Sequence, residues 1–273
     1  MLIDTHCHMN LMIRNYSSKE KFNHLSLEEI DKCKKIIQEA QSQEVIKIIN
    51  IGTDLIESRT CIEIAKQLDN CYASIGLHPT DTNYEWKSTI HELKQLAQNK
   101  EENKIVGIGE CGIDKYHQGY NLEYQKKSFY AQIELAIEHN LAIIVHSRDA
   151  DQETYEVLAH YKNYTSFKGV IHCFSSNMDY AKKYIDLGLF LGFGGSITYP
   201  KNNDLRSIVI NIPLETILLE TDAPFLPPQT IRGKQNTPAQ IKTIAEFIAQ
   251  LRSEPYVHIA RITSQTAKDL FHF

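Results

Sequence analysis

The chain has 273 residues, 42% of them hydrophobic and 23% charged, an ordinary composition for a globular protein and enough to bury a sizeable core. No run of about 18 apolar residues offers a membrane span. The formal net charge of −5 argues against broad, non-specific attraction to nucleic acid, which usually rests on a basic surface.

In chain order, the first apolar run covers residues 2–6 and ends in His6-Cys7-His8. The opening Met-Leu-Ile-Asp-Thr-His lacks the basic start and apolar middle of a signal peptide. Cys7, Cys33, Cys61, Cys71, Cys111 and Cys173 form no CxxC pair, so reduced thiols and a cytoplasmic location are expected. Residues 9–24 read as a long polar connection, and Ser26 with Glu29 has capping-box spacing before a helix at 27–43. Strands follow at 45–51, 71–77, 104–110, 141–146, 169–172, 189–193 and 216–220. Helical patterns lie at 55–68, 120–140 and 238–251; in the second, Phe129, Ile133, Ala136 and Ile137 recur at three- and four-residue steps. The run at 45–51 is apolar without alternation, as a strand covered on both faces must be.

Strand centres about thirty residues apart describe repeated β-plus-α units. The economical solution is one α/β domain over residues 1–273, a single (β/α)8 barrel with residues 255–273 as an extra C-terminal helix packed on its outside. An open doubly wound sheet is the alternative, but no Gly-rich nucleotide loop follows the first strand.

Barrel active sites sit where the strands end, and here five strands end in imidazoles or carboxylates: His6 and His8, Glu110, His146, His172, and Glu220 with Asp222. Strand alternation aims His6 and His8 one way and Cys7 the other. By the same parity Glu110 and His172 face inward, while Cys111 and Cys173 pack outward as small apolar residues. Burying so many imidazoles and carboxylates together is costly without a cation, so a metal site is expected.

The ordered set HCH, GECGID, HSRDA, HCF and ETDAP, with IGTD, IGLHP and RGK between, resembles the TatD family of metal-dependent deoxyribonucleases in the amidohydrolase superfamily. The resemblance implies two divalent cations (Zn, Mn, Mg or Ni): His6, His8 and Asp222 on one, His146 and His172 on the other, Glu110 bridging. It further implies Asp222 as proton acceptor, Glu220 as an orienting carboxylate, and His78 in phosphate contact or proton transfer. Arg148 would touch the phosphate or pair with Asp149 or Asp151. Lys201, Arg206, Arg232 and Lys234 are expected near the rim loops, as contacts to the DNA backbone or as solvated surface charges. Two positions depart from the pattern: Gln235-Asn236-Thr237-Pro238 replaces Arg-Asn-Glu-Pro, and Ser176 stands where glycine is usual.

The activity so implied is hydrolysis of DNA, 3′–5′ exonuclease-like, on single strands or frayed ends, with no obligate protein partner. A hydrolase of small amides, lactones or esters is the alternative. Relatives of that kind often bridge their metals with a carbamylated lysine, where this chain has Glu110. A non-catalytic binding barrel is the third reading, disfavoured by the intact ligand set.

Overall fold

The computed structural model describes residues 1–14 and 22–273. Eight parallel strands run in the order β1-β2-β3-β4-β5-β6-β7-β8: Leu2–Cys7, Val45–Ile51, Cys71–Ile75, Ile105–Asp114, Ala142–Arg148, Gly169–Ile171, Phe190–Phe193 and Ile217–Leu219. Helices join them: α1 (Met9–Ile13) and α2 (Leu27–Ser42), then α3 (Leu55–Gln67), α4 (Trp86–Ala97), α5 (Leu122–His139), α6 (Asp151–Ala159), α7 (Met178–Asp186) and α8 (Asn203–Asn211). After β8 come α9 (Ile241–Arg252) and α10 (Tyr256–Phe271). The (β/α)8 barrel expected from the spacing is the observed fold.

Its seam is polar. Asp4 of β1 accepts from the Thr221 amide (3.0 Å) and hydroxyl (2.6 Å), and the Thr5 hydroxyl donates to the Leu219 carbonyl at 3.0 Å. The Asp222 amide donates to His6 O at 2.9 Å, and that of His8 to Ala223 O at 2.7 Å. These bonds join the last strand's end to the first, so the sheet closes where the catalytic face would be.

Two apolar cores result. The larger lies between strands and helices; the smaller fills the barrel interior with Ile3, Ile49, Ile51, Ile144, Val170 and Leu218. Ala267, Leu270 and Phe271 of α10 join that inner cluster. The extra C-terminal helix packs on the outside as expected, and it also closes one end of the barrel. Its last turns cover the barrel floor, because the inward isoleucines there would otherwise face water.

The polar connection at 9–24 is corrected: its first residues form α1, capped by Asn50 of β2, whose Oδ1 accepts from the Met9 amide at 2.8 Å. Residues 15–21 of that connection lie outside the described residues. The Ser26–Glu29 capping box forms as expected.

Candidate metal centre

Side chains from β1, β4, β5, β6 and β8 converge at the carboxyl end of the barrel. Glu110 is their hub. Its Oε1 lies 2.8 Å from His146 Nδ1, 3.5 Å from His78 Nε2 and 3.9 Å from His172 Nε2. Its Oε2 lies 3.4 Å from His6 Nε2 and 3.7 Å from His8 Nε2. Asp222 Oδ1 faces the same two rings, 3.8 Å from His6 and 3.4 Å from His8, and stands 3.8 Å from His172 Nε2.

Backbone irregularities aim these groups. In β1 and in β4 one extra residue interrupts the register, between Asp4 and Cys7 and between Ile108 and Cys111. Such bulges re-aim side chains. The β4 bulge needs Gly109, at φ +139°, where a Cβ would stand 2.4 Å from the Ile144 carbonyl oxygen. Because of these bulges Cys7 and Cys111 face the helices, the outward placement expected of both. Cys173 does not. It follows the end of β6 at φ 45°, where alternation no longer holds, and lines the cleft beside His172 and Asp222.

His172 and His146, expected as a pair, keep different company. The His172 ring stacks on His6 at 3.4 Å between centroids, and its Nδ1 faces Glu220 Oε1 at 3.2 Å. Glu220 also accepts the Cys173 amide at 2.5 Å. The His146 ring meets His78 edge-on at 4.4 Å, and its Nε2 contacts Asp114 Oδ2 at 3.0 Å. Asp114, fully buried, accepts as well from the amides of Tyr116 and His117, each at 2.9 Å. Sequence reasoning missed this carboxylate. The signal was there, since Glu110, Gly112 and Asp114 share one face of β4.

Burial lowers His6 to about 4, with His172 adding to the effect. Burial also opposes charge on His172, but Glu220 and Glu110 outweigh it and push the ring up to about 10. Glu110 and Asp222 are held below the usual carboxylate range: burial opposes this, and the surrounding imidazoles prevail. Among the described residues, four sets of three donors each have their atoms within 4.8 Å of one another, including His6–His8–Asp222, His6–Glu110–His172 and His78–Glu110–His146. The first has two Nε2 atoms only 3.1 Å apart, both turned toward one carboxylate oxygen. Convergent imidazole nitrogens with carboxylate oxygens suit a divalent cation of the Zn or Mn type, so the residues present fit a metal.

His78 presents Nε2 to Glu110, while its Nδ1 faces the Thr80 hydroxyl at 2.6 Å and accepts the Thr80 amide at 3.2 Å. An amide can only donate, so Nδ1 is the acceptor and Nε2 carries the proton. Arg148 forms no ion pair with Asp149 or Asp151 among the described residues; its guanidinium lies 4.1 Å over the Tyr116 ring. Arg232 sits likewise over Tyr199 at 4.1 Å. Arg206, in the first turn of α8, spends its guanidinium within the fold. Its guanidinium donates to the carbonyls of Ile197, Tyr199 and Pro200. Lys201 borders a 640 Å³ cleft adjoining the 340 Å³ cavity at His146, His172 and Asp222.

The two departures sit at the loops, not the ligands. The Ser176 hydroxyl donates to Asp151 at 2.6 Å, tying the loop after β6 to the start of α6. Thr237 points its hydroxyl to Glu39 at 3.4 Å, while the neighbouring Asn236, fully buried, donates to the carbonyls of Thr221 and Phe225.

The family model described as TatD-related DNase matches residues 3–272. An uncharacterized metal-dependent hydrolase of Bacillus subtilis, YabD, is 34% identical over 99% of each chain. The 3′-5′ ssDNA/RNA exonuclease TatD of Shigella flexneri is 30% identical, covering 86% of this chain and 91% of its own length. Among solved structures, the TatD homolog YjjV of Escherichia coli superposes with a TM-score of 0.87 at 28% identity, covering 100% of this chain and 98% of that one. A strand-end cluster of imidazoles and carboxylates, in a barrel matched along almost its whole length, thus has one reading: the chain belongs to the TatD-related DNase family and is a metal-dependent hydrolase.

Proposed function

We propose that this protein hydrolyses phosphodiester bonds of DNA, from a 3′ end and preferentially in single strands or frayed ends, using two divalent cations. The observation that carries the reading is the hub: one buried carboxylate, Glu110, within 4 Å of five imidazole nitrogens at the barrel mouth. His6, His8 and Asp222 would hold one cation, His146 and His172 the other, and Glu110 would bridge them. Two cations held there would supply Lewis-acid polarisation of a phosphoryl oxygen and a lowered pKa for an attacking water.

The chain's own groups supply the remaining chemistry. Asp222, kept ionised by its imidazole neighbours, accepts the water's proton at a carboxylate oxygen. Glu220 fixes the His172 ring through Nδ1, and Asp114 fixes His146 through Nε2. His78 offers its Nε2–H to the phosphate, a role matched to the tautomer that Thr80 imposes. Arg148, held over Tyr116, lies in the cavity wall beside His146 and offers a preorganised guanidinium to a phosphate. Single-strand preference and 3′ polarity draw support from the Shigella relative's name.

The test is hydrolysis by protein loaded in turn with Mg, Mn, Zn and Ni. Substrates are a 5′-labelled single-stranded oligonucleotide, its duplex, bis(p-nitrophenyl) phosphate, and a panel of lactones and amides. Stepwise shortening of the single strand from its 3′ end is expected. Rapid turnover of a lactone or amide with DNA untouched under every metal would overturn the reading.

A further inference from the structure

Two large aromatic side chains stand exposed on the barrel rim beside the centre. Phe225 is 50% exposed, its ring centroid 6.0 Å from that of His8. Tyr116 is 57% exposed and carries the Arg148 guanidinium on its face. A scattered surface aromatic needs no explanation. These two are not scattered. Each is tied by a backbone bond to an acidic residue of the centre: the Phe225 amide donates to the Asp222 carbonyl at 2.7 Å, and the Tyr116 amide to Asp114 Oδ1 at 2.9 Å. Buried Asn236 stiffens the Phe225 turn further, donating to its carbonyl at 2.7 Å.

Their placement is diametric. Phe225 follows β8, next to β1, and Tyr116 with Arg148 belongs to the ends of β4 and β5, halfway round the eight strands. Whatever reaches Glu110 across the mouth meets the exposed Phe225 ring on one side and the Tyr116–Arg148 pair on the other. We propose that a single strand lies across the barrel mouth with one base stacked on Phe225 and another on the Tyr116–Arg148 pair, the scissile phosphate between them. This rests on the phosphodiesterase reading and names how that substrate is held. Stacking uses the π-face that every base has, so recognition tolerates sequence; paired bases in a duplex cannot offer that face. It also supplies affinity that a chain of net charge −5 does not draw from broad electrostatics.

The experiment measures kcat and KM of F225A, F225W and Y116A on an oligothymidylate, on the same strand with abasic residues flanking the scissile bond, and on bis(p-nitrophenyl) phosphate. Fluorescence anisotropy gives the Kd of each strand. F225A and Y116A are expected to lose about tenfold or more in kcat/KM on the oligothymidylate, mainly through KM, and several-fold less on the small diester. F225W should recover most of the loss. The wild-type protein should discriminate against the abasic strand about tenfold, and F225A much less, as a shared interaction requires. Equal losses on both substrates, or abasic and parent strands handled alike by the wild type, would overturn stacking. If the wild type binds strands without cleaving them, the nuclease reading fails and the Kd pattern decides stacking. Cleavage unaffected by the variants defeats stacking and leaves the nuclease reading standing; no binding and no cleavage defeats both.

Discussion

Gly192 of β7 lies under the Glu220 carboxylate, and replacing it with alanine tests whether that carboxylate orients His172. An added Cβ would meet Glu220 Oε2 at 2.3 Å and Oε1 at 2.9 Å. Ordinary contact begins about an ångström farther out, so the carboxylate must retreat by roughly that much. It cannot do so freely, because the group is buried and its Oε1 holds the Cys173 amide at 2.5 Å and faces His172 Nδ1 at 3.2 Å. Orphaning a buried donor costs about 1–3 kcal/mol, which in a chain of this length lowers Tm by about 2–4 °C per kcal/mol. Loss of the carboxylate behind a metal-ligating imidazole weakens metal affinity by about 10–100-fold. G192A should therefore show both a lower Tm by calorimetry and weaker metal binding by titration of the metal-free protein, with the metal-to-protein ratio checked by elemental analysis after dialysis. The double variant G192A/E220A should bind metal no more weakly than E220A alone, since both remove one interaction. A G192A protein with reduced Tm but wild-type metal affinity would refute the argument: Glu220 would then be structural support without a hold on His172.

Glu110→Gln should leave the fold intact but cut turnover and bound metal together, because a neutral amide replaces the carboxylate facing five imidazoles; near-normal turnover with full metal content speaks against the bridge. Asp222→Asn should lower kcat by about two to four powers of ten and affect strand binding far less, whereas a pure KM effect would make Asp222 a binding residue. His172 titrates near 10 in the metal-free protein, above its ordinary range, so its proton stabilises that fold below about pH 6.5 and the contribution fades as pH rises through 10. Metal binding needs the ring neutral, so affinity should rise from pH 6 to 9 with protons released into buffer; a flat profile by calorimetry in two buffers contradicts this. Asp4→Ala strands three donors at the β1–β8 seam, the Thr221 amide and hydroxyl and the His6 amide at 3.3 Å, and should cost about 2–4 kcal/mol. A thermal midpoint within a degree of wild type would show that the seam closes without it.

The sequence alone carried the architecture. Eight apolar runs at near-constant spacing can bury both faces only in a parallel sheet covered by helices, and all eight strands form, the second with the same limits as its apolar run, Val45–Ile51. The candidate site was legible for the same reason: ligand types placed where each run stops are brought together by any barrel, whatever its details. What the tertiary structure decided begins at the bulges. Strict alternation from outward Ile108 would turn Glu110 out and Cys111 in; the extra residue at Gly109 reverses both, and β4 continues through the glycine-rich stretch to Asp114. Asp114 reaches His146, Asn50 the Met9 amide and Asn236 the Phe225 and Thr221 carbonyls, partners 11 to 41 residues away, so no local pattern shows that one holds the His146 ring, one caps α1 and one stiffens a turn. Cys173, likewise, enters the cleft because its strand ends two residues earlier. Periodicity reports which face of an element is buried, and it is silent wherever the backbone leaves the regular element, which is where this barrel gathers its chemistry.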